Sequence, residues 1–229
     1  MRRTTSAVLG LLVWPALGSA QNFDDVQIRT TRVTESIYML QGSGGNIAVS
    51  IGDDGTFIVD DQFAPLTDKI VAALAELTDN PVDFVVNSHW HYDHTDGNEN
   101  FGRAGALIVA QDNSRRRMET DQVLSGSNRP QPAYDEVGLP KITFQESIRF
   151  YYNDNTVDVI YTGPGHTDGD AQVYFRDSNV IHTGDMFVRY GLPYIDQGNG
   201  GSTDGMIDAL WTIAGLIDDD TIIIPGHGQ

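Results

Sequence analysis

The stretch VDFVVNSHWHYDHTDGN, residues 82–98, decides the fold. Its opening residues are almost continuously apolar, the pattern of a strand buried on both faces. The chain then runs straight into three of its six histidines, His89, His91 and His94, with Asp93 among them. Imidazole nitrogen and carboxylate oxygen are good ligands for Zn²⁺ and need no thiolate. That matters here, because the chain has no cysteine. In an extended run, His89, His91 and Asp93 share one face and His94 points away. Such an arrangement suits two metals better than one.

The other ligand-type residues also follow strands. VDVIYTGPGH ends at His166, NVIHTGD at Asp185 and TIIIPGH at His227. Each is an apolar strand, a glycine turn and then a metal-type ligand. Strand ends converging on one edge are where α/β proteins build their sites. A closed structural zinc site needs four ligands, so seven candidates point to two metals with an open position. His166 and His227 can complete one shell each, and Asp185 can bridge. His182 lies inside a strand and reads as a packed residue rather than a ligand. Asp60, after TFIV, reads either as a turn aspartate or as an acceptor fixing a ligand imidazole. Trp90 and Tyr92 alternate with the ligands and either line the pocket or pack into the core.

Working outward, SIYML, NIAVSIG and TFIVDD are β-type runs separated by glycine turns, an antiparallel start. PLTDKIVAALAEL has Pro65 near its first turn and apolar residues at helical spacing. ALIVA is a further strand, and residues 111–123 read as a polar helix. Residues 125–140, rich in Gly, Pro and Ser, read as an excursion. KITFQESIRFYY opens a second series of strands that continues with VDVIYTG, AQVYF and NVIHTGD. GNGGSTDG reads as a flexible loop leading into the helix TDGMIDALWTIAGLI, and TIIIPGHGQ as a last strand and turn. Strands in two batches, each followed by helices, predict two sheets sandwiched between helices.

At these residues the chain resembles the metallo-β-lactamase superfamily. His89-x-His91-x-Asp93-His94 is similar to its HxHxDH signature, and His166, Asp185 and His227 match its downstream ligands in order. The resemblance spans residues 33–229. It implies a four-layer αββα sandwich; the sequence stops two residues after His227, where family members usually continue, and so reads either as a minimal member lacking the usual C-terminal extension or as a truncated one. It also implies a first zinc on His89, His91 and His166, a second on Asp93, His94 and His227, and Asp185 bridging them. Antibiotic-hydrolysing members often carry cysteine at the Asp185 position. An aspartate there resembles glyoxalase-II-like and lactonase-like members. The overall pattern is similar to exported β-lactamase-like or quinoprotein-relay hydrolases.

The implied activity is binuclear zinc hydrolysis. Two Zn²⁺ lower the pKa of a bound water from ~15.7 to about 7, supplying hydroxide to attack a carbonyl carbon. Asp93 would orient the nucleophile. Substrates would be small molecules: a β-lactam, lactone, ester or thioester. Two alternatives use the same ligands, an iron-dependent oxidoreductase and a non-catalytic zinc-binding protein.

Composition narrows the partners. The 229 residues carry 32 acidic and 14 basic side chains, a net charge of −18. Such a chain repels phosphate backbones, so nucleic acid is not an expected partner. The N-terminus reads as a secretory signal peptide over residues 1–20: MRR, the apolar AVLGLLVWPAL, then Gly18 and Ala20 before the cleavage point. That predicts a mature domain over residues 21–229, periplasmic or secreted, with no membrane span. Arg189, soon after Asp185, is a candidate partner for a substrate carboxylate.

Overall fold

The computed structural model describes residues 22–229. The expected signal peptide, residues 1–20, lies outside them. The chain opens with β1 (Arg29–Arg32), β2 (Ile37–Gln41), β3 (Ile47–Gly52) and β4 (Gly55–Val59), each antiparallel to the one before. Gly52 pairs with Gly55 across the acidic turn, and Gly55 takes a φ of 138°, which a side chain would disfavour. Helix α1 (Thr67–Ala75) then crosses to β5 (Val82–Val86), which runs parallel to β4.

Past β5 come a single turn, α2 (Tyr92–Thr95), and α3 (Asn98–Ala104), then β6 (Leu107–Gln111) parallel to β5. The expected polar helix is shorter than the sequence suggests. It is α4 (Asp112–Met118), after which β7 (Gln122–Leu124) and β8 (Arg129–Gln131) form a hairpin. Asp112 stands in its first turn and Arg115, Arg116 and Arg117 in its last, each sign matching the helix dipole.

The strand read through KITFQESIRFYY is two strands in different sheets. β9 (Ile142–Phe144) closes the first sheet parallel to β6, and β10 (Ser147–Tyr152) starts the second. The polar pair Gln145-Glu146 breaks the apolar pattern, and there the chain changes sheets. β11 (Asn155–Tyr161), β12 (Ala171–Phe175) and β13 (Val180–His182) follow antiparallel. Helix α5 (Thr203–Leu216) then leads to β14 (Ile222–Ile224), parallel to β13.

The result is a seven-stranded and a five-stranded sheet face to face. Between them lie Phe57, Val59, Val86, Val109, Val157, Val173, Phe175 and Ile224. Leu66, Ile70, Leu74 and Phe101 cover the outer face of the first sheet, and Met206, Ala209 and Ile213 of α5 that of the second. This is the αββα sandwich that the sequence predicts. Among the described residues no helix is long and apolar enough to cross a membrane.

Phe57 is the hinge of the inter-sheet core. It is fully buried, with the rings of Phe150 and Phe175 edge-on at 5.3 and 6.0 Å. Phe57→Ala should cost about 3–5 kcal/mol, through lost burial and the cavity left behind. Urea unfolding of both proteins measures this, and a loss below about 1 kcal/mol would contradict the packing described.

Candidate metal centre

Four strand ends deliver the site to one edge of the sandwich. β5 leads to His89, β11 to His166, β13 to Asp185 and β14 to His227. The extended reading of the histidine run holds only as far as His91, whose ψ of 141° is extended. Tyr92–Thr95 then turns helical. Asp93 is therefore parted from the face of His89 and His91, and it joins His94 and His227.

All seven predicted residues come together. Three groups of donor atoms lie within 4.8 Å of one another: His89 with His91 and His166, His89 with His94 and Asp185, and Asp93 with His94 and His227. Asp185 stands between the ends of the site. Its carboxylate is 3.2 Å from His94 Nε2, 3.6 Å from His166 Nε2 and 3.5 Å from His227 Nε2.

The tautomers are fixed by what lies behind each ring. His166 Nδ1 donates to the carbonyl of Tyr194 at 2.6 Å, and a carbonyl can only accept. The inward Nε2 of His166 therefore carries no proton in the neutral ring. His91 Nε2 donates to Asp196 at 3.0 Å, so in the neutral ring its inward Nδ1 is bare. These two bare nitrogens face each other at 2.9 Å. Ser88 Oγ donates to Asp60 Oδ2 at 2.7 Å and accepts from His89 Nδ1 at 3.0 Å. His89 Nε2 is thus bare too, buried and without a partner. Lone pairs converging in a dry site repel unless a cation sits among them. The donor set therefore fits a metal ion.

Charge agrees. Burial, reinforced by the neighbouring imidazoles, pushes His89 well below its usual range, and burial together with His91 lowers His166 to about 4. Both are neutral at pH 7, as a metal ligand must be. At the other end burial again opposes protonation, but Asp185, Asp60 and Asp93 together hold His94 well above its usual range. Hydrogen bonds that His227 donates to Asp185 and Asp93 likewise raise it to about 9 against burial. Burial works against ionisation of Asp185, yet His94 and His227 keep its pKa well below the ordinary carboxylate value.

Asp60 fulfils the second of its two readings. It accepts from His94 Nδ1, Ser88 N and Ser88 Oγ, each at 2.7 Å, and so serves His94 directly and His89 through Ser88. Its φ of 65° is left-handed, a strain of about 1–3 kcal/mol that such bonds sustain at functional sites. His182 lies behind the site: its Nε2 donates to Asn46 O at 2.9 Å and its Nδ1 accepts from Gly184 N. Trp90 is core, packed with Met118, Leu124 and Leu139. Tyr92 packs on Phe63 under the guanidinium of Arg129. A cavity of about 280 Å³ opens beside it, lined by Asp96, Arg129 and Tyr134 rather than by the ligands.

The segment after Asp185 runs along one side of the site. The Tyr190 ring lies 5.7 Å from His227 and the Tyr194 ring 5.9 Å from His166. Arg189 is exposed, its backbone N–H bonded to His227 O. GNGGSTDG is strapped down rather than loose: Gly201 N donates to Asp196 O, and Asn199 Nδ2 to Val123 O. A Cβ at Gly201 would collide with His166 O, so glycine permits the close approach. Sequence reading missed Asp196 and Ser88. Asp196 sits in an irregular loop with no spacing to mark it, whereas Ser88, adjoining the first ligand, was within reach.

A family model for the metallo-β-lactamase superfamily matches residues 36–227. The chain belongs to that superfamily. It is 27% identical over 183 residues to a hydroxyacylglutathione hydrolase from Brucella ovis, covering 80% of this chain and 62% of the relative. A hydroxyacylglutathione hydrolase from Brucella anthropi is 26% identical over 149 residues, 64% of this chain and 47% of the relative. The superfamily chain thus spans roughly half to three-fifths of the length of these relatives. Among solved structures, a metallo-β-lactamase from Pontibacter korlensis superposes with a TM-score of 0.72 at 16% identity, covering 89% of this chain and 92% of that one. The DIM-1 metallo-β-lactamase gives 0.70 at 21% identity, covering 90% and 92%.

Metal binding here should release protons. The raised pKa values of His94 and His227 mean that a metal must displace protons below about pH 9, so apparent affinity should rise as pH climbs towards that value. Calorimetry at about pH 7.5, in buffers of different ionisation heat, should show at least one proton released per chain. Binding without proton release would contradict the charge state assigned.

Proposed function

We propose that this chain is an exported, zinc-dependent hydrolase of small-molecule carbonyl substrates, holding two Zn²⁺. The observation that carries the reading is the convergence of proton-less imidazole nitrogens, above all His91 Nδ1 facing His166 Nε2 with His89 Nε2 unpartnered beside them. His89, His91 and His166 would hold one ion, Asp93, His94 and His227 the other, and Asp185, between them, would contact both. Bound there, the ions would supply a water of pKa about 7 and polarise a carbonyl oxygen.

The chain's own residues supply the rest. Asp93 is the more open of the two carboxylates, about a quarter exposed against 9% for Asp185, with one oxygen 3.3 Å from His227 Nε2. It is placed to orient an attacking water and to take its proton. Asp185 offsets positive charge at the centre. Tyr190, exposed and with its ring 5.7 Å from that of His227, offers an apolar face against which the non-reacting part of a substrate would rest. Export rests on the reading of residues 1–20 and places the enzyme in the periplasm or outside the cell.

Relatives named hydroxyacylglutathione hydrolase support an acyl-transfer chemistry to water. The aspartate at 185 supports esters, lactones or thioesters over β-lactams, because a carboxylate, with two oxygens, is better suited than a thiolate to contact two zinc ions, as in the glyoxalase-II-like and lactonase-like members it resembles. A panel of β-lactams, lactones, thioesters and phosphoesters, given to the zinc-loaded protein, tests the class. Hydrolysis should appear among the carbonyl substrates and vanish on chelation; turnover of phosphoesters alone would overturn the reading. Asp185→Ala should weaken one zinc equivalent and cut turnover at least tenfold. Asp185→Cys should keep zinc, gain relative rate on β-lactams and lose it on esters. Unchanged zinc binding and substrate profile in Asp185→Ala would show that Asp185 is not a ligand.

A further inference from the structure

Of the three histidines assigned to the first metal, two are held from behind by one short irregular segment. His166 Nδ1 donates to Tyr194 O at 2.6 Å and His91 Nε2 to Asp196 Oδ2 at 3.0 Å. Asp196 is fully buried. Its remaining acceptor capacity is filled by Asn199 Nδ2 at 2.8 Å and by Ser125 Oγ.

The segment has no regular structure to stiffen it, so polar bonds fix its place. Asp196 N donates to His166 O at 2.8 Å, and Gly201 N to Asp196 O at 2.9 Å. Arg117 reaches Asn199 Oδ1 and pairs with Asp168 at 2.6 Å. The turn of the β7–β8 hairpin closes the arrangement. Gly126 N donates to the Tyr194 hydroxyl at 2.7 Å, and Ser125 Oγ shares a hydrogen bond with it at 2.9 Å. Ser125 thus touches both Tyr194 and Asp196.

We propose that Tyr194–Asp196 is a positioning clamp for the first metal's histidines, locked by the β7–β8 hairpin through Ser125. A carboxylate behind an imidazole N–H fixes the tautomer and raises the basicity of the nitrogen that faces the metal. The second cluster has a separate anchor. His94 leans on Asp60, at the end of a central strand, and touches neither Tyr194 nor Asp196. The clamp therefore acts on one metal and spares the other, an asymmetry that ordinary loss of stability does not produce. Asp196 acts through His91 and touches no substrate atom in this scheme.

The inference rests on the reading of the cluster as a two-metal site, and one titration separates the two ideas. Zinc competition against a chelator is measured for wild type, Asp196→Ala, Asp196→Asn and Ser125→Ala. Histidine ¹⁵N shifts identify the site affected. Wild type should bind two equivalents. Asp196→Ala should weaken the equivalent seen by His91 and His166 about 10–100-fold and leave that seen by His94 and His227 unchanged. Asp196→Asn should fall between, because its amide oxygen still accepts the N–H without the charge. Ser125→Ala should weaken the same equivalent by a smaller factor. Should Asp196→Ala fail to fold, the asparagine variant carries the test. Equal weakening of both equivalents, or none in either Asp196 variant, would overturn the clamp alone. A wild type that binds no zinc would overturn the two-metal reading instead.

Discussion

Everything at this edge of the protein follows from three buried imidazoles, His89, His91 and His166, whose inward nitrogens converge in a dry site. Four of the five rings, His166, His91, His94 and His89, have one nitrogen committed outward, to Tyr194, Asp196, Asp60 and Ser88. The other nitrogen is forced inward. In a dry site that arrangement is costly without positive charge, and protons supply it only in part, because His89 and His166 resist protonation. The fold sets up a demand for cations, and the acids around the site decide how it is divided. Asp60, Asp93 and Asp185 gather about His94 and His227, while His89 and His166 face the site as neutral donors with His91 and Asp185 beside them.

The sandwich exists to hold these groups still. Asn46 donates its side chain to Pro225 O and Gly228 O at 2.8 Å, tying the His227 turn to the start of β3. Gly45 lies so close to the His94 ring that any Cβ would overlap it. Gly184, with a φ of 52°, lets β13 turn sharply into Asp185 against Ser88. Strands from both sheets meet at this edge, so the inter-sheet core centred on Phe57 fixes the distance between His89 and Asp185. Packing and metal geometry are therefore one problem.

Much of this was legible in the sequence because strands announce themselves by apolar runs and ligands by residue type. HxHxDH and three glycine turns ending in His166, Asp185 and His227 pointed to seven residues, and the structure brings all seven together. Local geometry was less legible. The extended reading of residues 89–94 missed the helical turn at Tyr92, since alternation of ligands mimics strand periodicity. KITFQESIRFYY was read as one strand because both halves are apolar and only Gln145-Glu146 marks the change of sheet. Asp196 was invisible for another reason. Its role is set by a partner 105 positions away, and nothing near it in the chain records that contact.

Anomalous X-ray diffraction at the zinc absorption edge, from crystals of the zinc-loaded protein, tests the central claim most directly. Two peaks are expected: one bonded to His89 Nε2, His91 Nδ1 and His166 Nε2, the other to Asp93, His94 and His227, with Asp185 between them. A single peak, or density at sites that leave His91 Nδ1 and His166 Nε2 still facing each other, would contradict it.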